Sequence, residues 1–329
     1  MIRNMEWELL PSLPHESDFK QKGGHGMPRY EKAILLYNTN AGQGDINELL
    51  QQTLATLAPE VIELTLIQTQ APGEAKQRCK QLPEDIGLLI IVGGDGTVHE
   101  CVNGLMAGNN QPTVAIVPAG TCNDLARSLQ IPTVDDALTA IVNGTTVAID
   151  IGQQNDSYFA NFSGVGMIVE ASKEIEAETK ARFGKLGYII SAIRSIKEPK
   201  PFSYTITTAK GETSSGDAVM ILAMNGQYIG TIGLFLKDIS LSDGKLHLFI
   251  VKEAGFTLLK NMYSHAFTDE NWLNDAEGIE ALELDQFTLT CRQTLDVDSD
   301  GEINEQTPVS YTLHQQALTF ITTGQQEKD

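Results

Sequence analysis

Residues 93–97 read Gly-Gly-Asp-Gly-Thr, directly after the apolar run Ile86–Val92. A buried strand ending in a turn almost without side chains lets a ligand approach the backbone closely, and glycine reaches φ > 0 where the turn needs it. Val98 to Met106 suit a helix, whose amide dipoles would point back at the turn and attract an anion. The chemistry implied is phosphate handling, with the Asp95 carboxylate able to help hold a magnesium ion. Three further loops share this character: Asn38-Thr39-Asn40-Ala41-Gly42-Gln43-Gly44, Thr69, and Pro118-Ala119-Gly120-Thr121-Cys122-Asn123-Asp124. Each offers backbone amides and small hydroxyl or amide side chains, as a polyphosphate requires. Asp95 and Asp124 could share Mg2+, usually through water. Any one such loop reads equally as an ordinary strand-to-helix turn; the four together read as a site. No Gly-x-x-x-x-Gly-Lys-Ser/Thr occurs, and Gly164–Val169 lacks the last glycine of a dinucleotide fingerprint.

A second cluster is acidic: Asp296-Val297-Asp298-Ser299-Asp300-Gly301-Glu302-Ile303-Asn304. Its spacing opens like a calcium-binding EF-hand loop, with carboxylates at positions 1, 3 and 5 and glycine at 6. Position 12 is Thr307 rather than glutamate, and the flanks Phe287–Cys291 and Val309–Leu313 look like strands. The alternatives are a solvated acidic hairpin or a catalytic turn in which Asp300 and Glu302 face one site, since residues i and i+2 of an extended segment point the same way. One carboxylate could then accept a proton from a substrate hydroxyl while the other orients metal or substrate. Asp243-Gly244 within Ser240–Leu246 is a turn signal before a strand. Lys180–Lys200 is locally basic and apolar, with Lys180, Arg182, Lys185, Arg194, Lys197 and Lys200 among Phe183, Leu186, Tyr188, Ile189, Ile190 and Ile193. Such a segment is either a solvated face or a membrane-surface contact. The histidines do not assemble into a metalloprotease pattern, and Gly-x-Ser-x-Gly is absent.

These residues need positioning elements. From Ala33 the chain alternates strand and helix: strands at Ala33–Asn38, Val61–Gln68, Ile86–Val92 and Thr113–Val117, helices around Ile46–Leu57, Gly73–Leu82, Val98–Met106, Asn123–Leu129 and Asp135–Val142. Repeated β–α units imply a parallel sheet covered by helices, and such sheets bind ligands beyond the C-terminal ends of their strands. All the Gly-rich turns fall at that end. After Asp150, short β-like runs dominate, interrupted by one helical insertion at about 169–196. The expected fold is α/β: an N-terminal parallel-sheet nucleotide-binding domain over residues 27–152, which 314–329 could complete, then a mostly antiparallel β-sandwich domain over 153–313. Residues 1–26 read as an extension.

Forty-three acidic against 23 basic residues leave a net charge of −20. That surface repels nucleic acid and opposes anionic lipid unless a basic patch is set apart. The four cysteines show no paired spacing, which fits a reduced, cytoplasmic protein. No apolar run approaches the roughly 18 residues of a spanning helix, and no signal-peptide core is seen.

In the order and spacing of Asn38–Gly44, Gly93–Glu100, Val117–Arg127, Asp243-Gly244-Lys245 and Asp300-Gly301-Glu302, the chain resembles the bacterial diacylglycerol kinase family. These are soluble lipid kinases whose catalytic domain is shared with sphingosine and ceramide kinases, and the match covers about Ala33 to Thr322. The resemblance implies ATP lying against Asn38, Thr39, Asn40, Ala41, Gly42, Thr69, Gly93, Gly94, Asp95, Gly96, Thr97, Val98, His99, Thr121 and the Asn123 turn. It implies catalytic magnesium organised by Asp95, Asp124 and Asp150, and Glu302 as proton acceptor with Asp300 beside it. It also implies a structural metal held by Asp243 and the carbonyls of Ser240 and Lys245. The acceptor would be a lipid hydroxyl, most simply that of diacylglycerol, met by transient association with a membrane surface; a homodimer stays open. The chain departs from the family pattern at Thr39 (usually proline), Gln43 (often lysine), His99 (commonly asparagine) and Gly230–Leu234, where a glycine cluster is thinned. Two other readings stand beside this one. A kinase of a soluble metabolite, like NAD kinase, would stay off vesicles, and a non-catalytic nucleotide or lipid sensor would label nothing.

Overall fold

The computed structural model describes residues 28–38, 46–174, 199–230, 239–252 and 278–324. The extension, Thr39–Gly44, most of the basic segment, and residues 231–234 of the thinned glycine cluster lie outside them.

The first half alternates β1 (Tyr30–Asn38), α1 (Ile46–Leu57), β2 (Val61–Thr69), α2 (Glu74–Lys80), β3 (Leu88–Gly93), α3 (Asp95–Met106), β4 (Thr113–Pro118), α4 (Asp124–Ser128) and α5 (Val134–Asn143). β2, β1, β3 and β4 lie side by side, all parallel. Every residue of Leu88–Gly93 is buried, as befits a strand covered by helices on both faces. α5 is started by a capping box, Thr133 accepting from the Asp136 amide while Asp136 accepts from Thr133.

The second half adds β5 (Thr145–Gln154), β6 (Ser157–Phe159), β7 (Phe162–Gly166), α6 (Met167–Glu174), β8 (Phe202–Thr208), β9 (Thr213–Ala218), β10 (Met220–Met224), β11 (Leu246–Val251), β12 (Ile279–Leu284), β13 (Gln286–Cys291), β14 (Asp296–Ser299), β15 (Glu302–Gln306) and β16 (Val309–Thr322). Six of these form an antiparallel sheet in the order β12-β11-β10-β7-β14-β15. The other sheet continues from β4 through β16 to β13, β8 and β9. The sandwich is made where the two meet. Tyr204, Ile206, Phe287, Leu289 and Tyr311 of the long sheet pack on Val165, Ile221, Leu248, Ile250 and Val297 of the short one. The opposite face of the short sheet, through Met220, Leu222 and Phe249, packs on Met167, Ile168 and Ala171 of α6. The alternation along β10 and β11 is the period-2 pattern of a strand buried on both faces. The fold is the expected one: a mostly parallel N-terminal layer and an antiparallel sandwich.

β16 joins the halves. Its start pairs antiparallel with β13, and Phe320 near its end pairs parallel with Val114 of β4. A register shift against β5 between His314 and Leu318, with Gln316 at φ 49°, bends the strand from one half into the other.

Candidate functional site

Two turns of the first half press together. A Cβ on Gly94 would lie 2.9 Å from the Gly120 Cα, so only glycine allows the βα turns after β3 and β4 to approach this closely. Asp95 then ties them: its Oδ1 accepts from the Asp124 amide (2.8 Å) and its Oδ2 from the Asn123 amide (3.0 Å). Asn123, itself at φ 51°, closes its own loop by accepting from the Gly120 amide at 2.9 Å and donating to the Gly120 carbonyl at 3.0 Å. Thr69 ends β2 beside Asn38 of β1, with its hydroxyl donating to the Tyr37 carbonyl. Thr97 packs against Gly93, Val98 lies in the core, and Thr121 is exposed. Thr39, Asn40, Ala41 and Gly42 fall outside the described residues.

The second half supplies a two-residue hairpin turn between β14 and β15, with Asp300 at φ 50° and Gly301 at φ 88°. Positive φ at both positions is the twist-compatible type I′ geometry that an Asp-Gly pair favours. Asp300 turns inward: its carboxylate accepts from the amides of Ala160 (2.9 Å), Asn161 (3.0 Å) and Phe162 (3.0 Å). A Cβ on Gly96 would sit 3.8 Å from Glu302 Oε1, so the acidic hairpin looks directly onto the Gly93–Thr97 turn. Both carboxylates border the glycine turn, Asp300 through its charge on Asp95 and Glu302 through its approach to Gly96.

His99 links the two turns. Its Nδ1 lies 3.3 Å from Asp300 Oδ2, and its Nε2 lies 3.3 Å from Asn103 Nδ2. Asn103 in turn clamps the Tyr158 backbone, accepting its amide at 3.0 Å and donating to its carbonyl at 2.8 Å.

The electrostatics are those of crowded, buried acid. Asp124 is fully buried; burial first, then the Asp95 charge, pushes its carboxyl up to about 7. It accepts from the Gly230 amide at 2.5 Å and from Arg127 Nη1 at 3.4 Å. Asp95 is raised as well, by burial and by the charge on Asp300. Asp298, two residues before Asp300, is pushed up to about 6 by burial, with the charges of Asp300 and Glu302 adding. A divalent cation would relieve this crowding, and the donors are the hard oxygens it takes. Among the described residues no three His, Cys, Asp or Glu side chains converge closely enough to hold an ion alone. Magnesium at phosphate sites commonly rests on one or two carboxylates plus the phosphate oxygens, and the Asp95–Asp124 pair fits that division.

Asp150 braces a second loop. Its carboxylate accepts from the amides of Gly244 (2.8 Å) and Gln316 (2.7 Å), which joins it to the Ser240–Lys245 loop. In that loop Asp243 accepts from the Lys245 amide (3.0 Å) and the Ser240 amide (3.2 Å) and lies 2.9 Å from His247 Nε2. Burial alone would raise Asp243, but His247 and these amides outweigh it and hold the carboxyl below its usual value.

Some participants were not read from the sequence. Arg127 lies with its guanidinium 4.0 Å from the Tyr228 ring centroid and donates to the Gly230 carbonyl at 3.1 Å, fastening α4 to the loop after β10. Its position three residues after Asp124 was the one local clue. The amides of Ala160–Phe162 and the partnership of Ser172 with Asp298 have no sequence signature.

Comparison with known proteins agrees with this geometry. Residues 32–154 match the diacylglycerol kinase catalytic domain, and residues 163–322 match the YegS C-terminal NAD kinase beta sandwich-like domain. A Staphylococcus carnosus protein named "Putative lipid kinase" is 33% identical over 86% of this chain and 94% of its own. One of the same kind from Staphylococcus aureus strain MRSA252 is 31% identical over 89% and 98%. A solved structure described as a diacylglycerol kinase from Bacillus anthracis str. Sterne superimposes with a TM-score of 0.80 at 33% identity, covering 90% of this chain and 98% of the other. With these matches running through both halves and both facing turns, the chain belongs to the diacylglycerol kinase-like family of lipid kinases.

Proposed function

We propose that the protein transfers the γ-phosphoryl group of ATP to the hydroxyl of a membrane lipid, most simply diacylglycerol, giving phosphatidic acid. The observation that carries this reading is the approach of Glu302 to Gly96, which brings a carboxylate within reach of the turn suited to phosphate. The polyphosphate lies over the open backbone of Gly93–Thr97, where the N-terminal amides of α3 face it, with Asn38, Thr69 and Thr121 at the neighbouring strand ends. Asp95 and Asp124 would hold Mg2+, which when bound would neutralise charge on the phosphate oxygens. Glu302 takes the proton from the lipid hydroxyl as it attacks in line, while Asp300, fixed by three amides, holds the turn that presents Glu302. Asp243 with the Ser240 and Lys245 carbonyls would hold a structural cation in the second half.

No described helix is long and apolar enough to cross a membrane. The basic, apolar stretch Lys180–Lys200 is the proposed surface contact. Incubation with labelled ATP, Mg2+ and a total lipid extract tests the whole reading. Label in phosphatidic acid, lost in Glu302→Ala, is expected. Label only in a water-soluble product would instead favour the NAD kinase-like alternative, which the family description of the second half keeps in view.

A further inference from the structure

Asp298 is wholly buried on β14, at a place where a buried carboxylate needs a reason. Each of its oxygens has a different partner. Oδ1 accepts from the Gly301 amide at 2.8 Å, inside the turn that leads to Glu302. Oδ2 accepts from the Ser172 hydroxyl on α6, a helix 126 residues away in sequence and itself buried at that point. The next residue on α6, Lys173, pairs with Asp296 at the start of the same strand. β14 is flanked by β7, where Asp298 lies opposite Gly164, and α6 follows β7 directly after Gly166 at φ 82°. The helix therefore folds back over the strand pair and grips the hairpin at two successive positions.

We propose that Asp298 is a positioning residue for Glu302, bracing the Gly301 amide against the Ser172 hydroxyl so that the tip of the hairpin holds one orientation towards the glycine turn. The Asp300-Gly301 turn has a left-handed backbone at both residues, and an amide left without its acceptor would free Gly301 to rotate and swing Glu302. A shift of about 1 Å in a reacting group can cost on the order of a hundredfold in rate. The bracket also makes α6, which the basic segment follows in sequence, part of the support of the catalytic turn. The role of Asp298 rests on Glu302 being the proton acceptor; the bracket itself does not.

The full chain is used for the test, with four substitutions and two readouts. Ser172→Ala and Asp298→Ala should lower kcat about tenfold or more while leaving KM for ATP within about twofold. Ser172→Thr, which keeps the hydroxyl, and Asp298→Asn, whose Oδ1 can still accept from Gly301 while its Nδ2 donates to the Ser172 oxygen, should restore most of it. Amide hydrogen exchange at Gly301 should quicken in the two alanine variants and stay slow in the two conservative ones. Unchanged exchange in Ser172→Ala overturns the bracket. Faster exchange with unchanged kcat overturns its role in positioning Glu302. Equal losses in Ser172→Ala and Ser172→Thr would mark a packing effect and also overturn it. A wild-type protein that labels no lipid, yet shows the expected exchange pattern, overturns the proposed function and leaves the bracket standing.

Discussion

The glycine turn of the first half and the acidic hairpin of the second are built by opposite means. The first is made of absence: Gly93, Gly94, Gly96 and Gly120 leave the backbone bare, and the approach of Gly94 to Gly120 needs no side chain at all. The second is made of partners. Asp298 and Asp300 are buried and take between them six hydrogen bonds, four from backbone amides, one from a hydroxyl and one with the His99 imidazole. The difference teaches where each is vulnerable. A bare turn fails when an atom is added, and a braced hairpin fails when one is taken away.

The sharpest contrast comes from the residue the hairpin presents. Glu302→Ala should cut phosphoryl transfer by about 10²–10⁴-fold with circular dichroism and thermal midpoint unchanged; near-normal turnover would remove the hairpin from the chemistry. On the other side, Gly94→Ala adds one methyl against backbone at 2.9 Å. It should destabilise by about 1–3 kcal/mol and raise KM for ATP, both readable by thermal melting and steady-state kinetics. If the methyl is accepted silently, the close approach of the two turns is not needed.

A pH titration separates the halves further. Asp298 has its carboxyl raised to about 6, so the folded state holds that proton more tightly than the unfolded chain does. The resulting stability is full below about pH 4 and is lost as pH rises through about 6, on the order of 3 kcal/mol. Asp124, raised to about 7, acts in the same direction. Thermal midpoints measured without divalent cation should therefore fall between about pH 4 and 7, and Asp298→Asn should flatten part of that fall. A midpoint rising over this range in the parent protein would contradict the burial of these acids. The smallest effect belongs to His99. His99→Ala removes one of four contacts on Asp300 and should reduce kcat about threefold to tenfold, with ATP affinity unchanged if the imidazole serves the hairpin rather than the nucleotide.

The first half was legible because its signals are local. The apolar run before Gly93 and the α1 pattern over Ile46–Leu57 each sit within one element, and α1 lies where periodicity put it. The second half was legible in outline only. β5 escaped notice because Thr145-Thr146 and Gln153-Gln154 dilute its apolar centre. β16 was read as two pieces because Gln315-Gln316-Ala317 break the alternation at the bend. In the candidate site, residue types and turns could be read, but not the tasks of individual carboxylates. Asp150 and Asp95 look alike in sequence, and only the Gly244 and Gln316 amides assign Asp150 to the other loop. His99 sits in the glycine-turn helix, and its contact with Asp300 spans 201 residues of sequence. Contacts of that range leave no periodic trace.

The bent strand β16 has a consequence for how the protein is made. β4 receives a neighbour from Phe320, and β5 pairs along Thr145–Ile149 with residues 318–322. During synthesis the parallel layer emerges first, yet its fifth strand arrives only with the last few residues described. Until then β4 presents an open edge to the ribosome surface and to chaperones. A gene fragment ending after β5 should therefore yield an aggregating product rather than an autonomous folded domain.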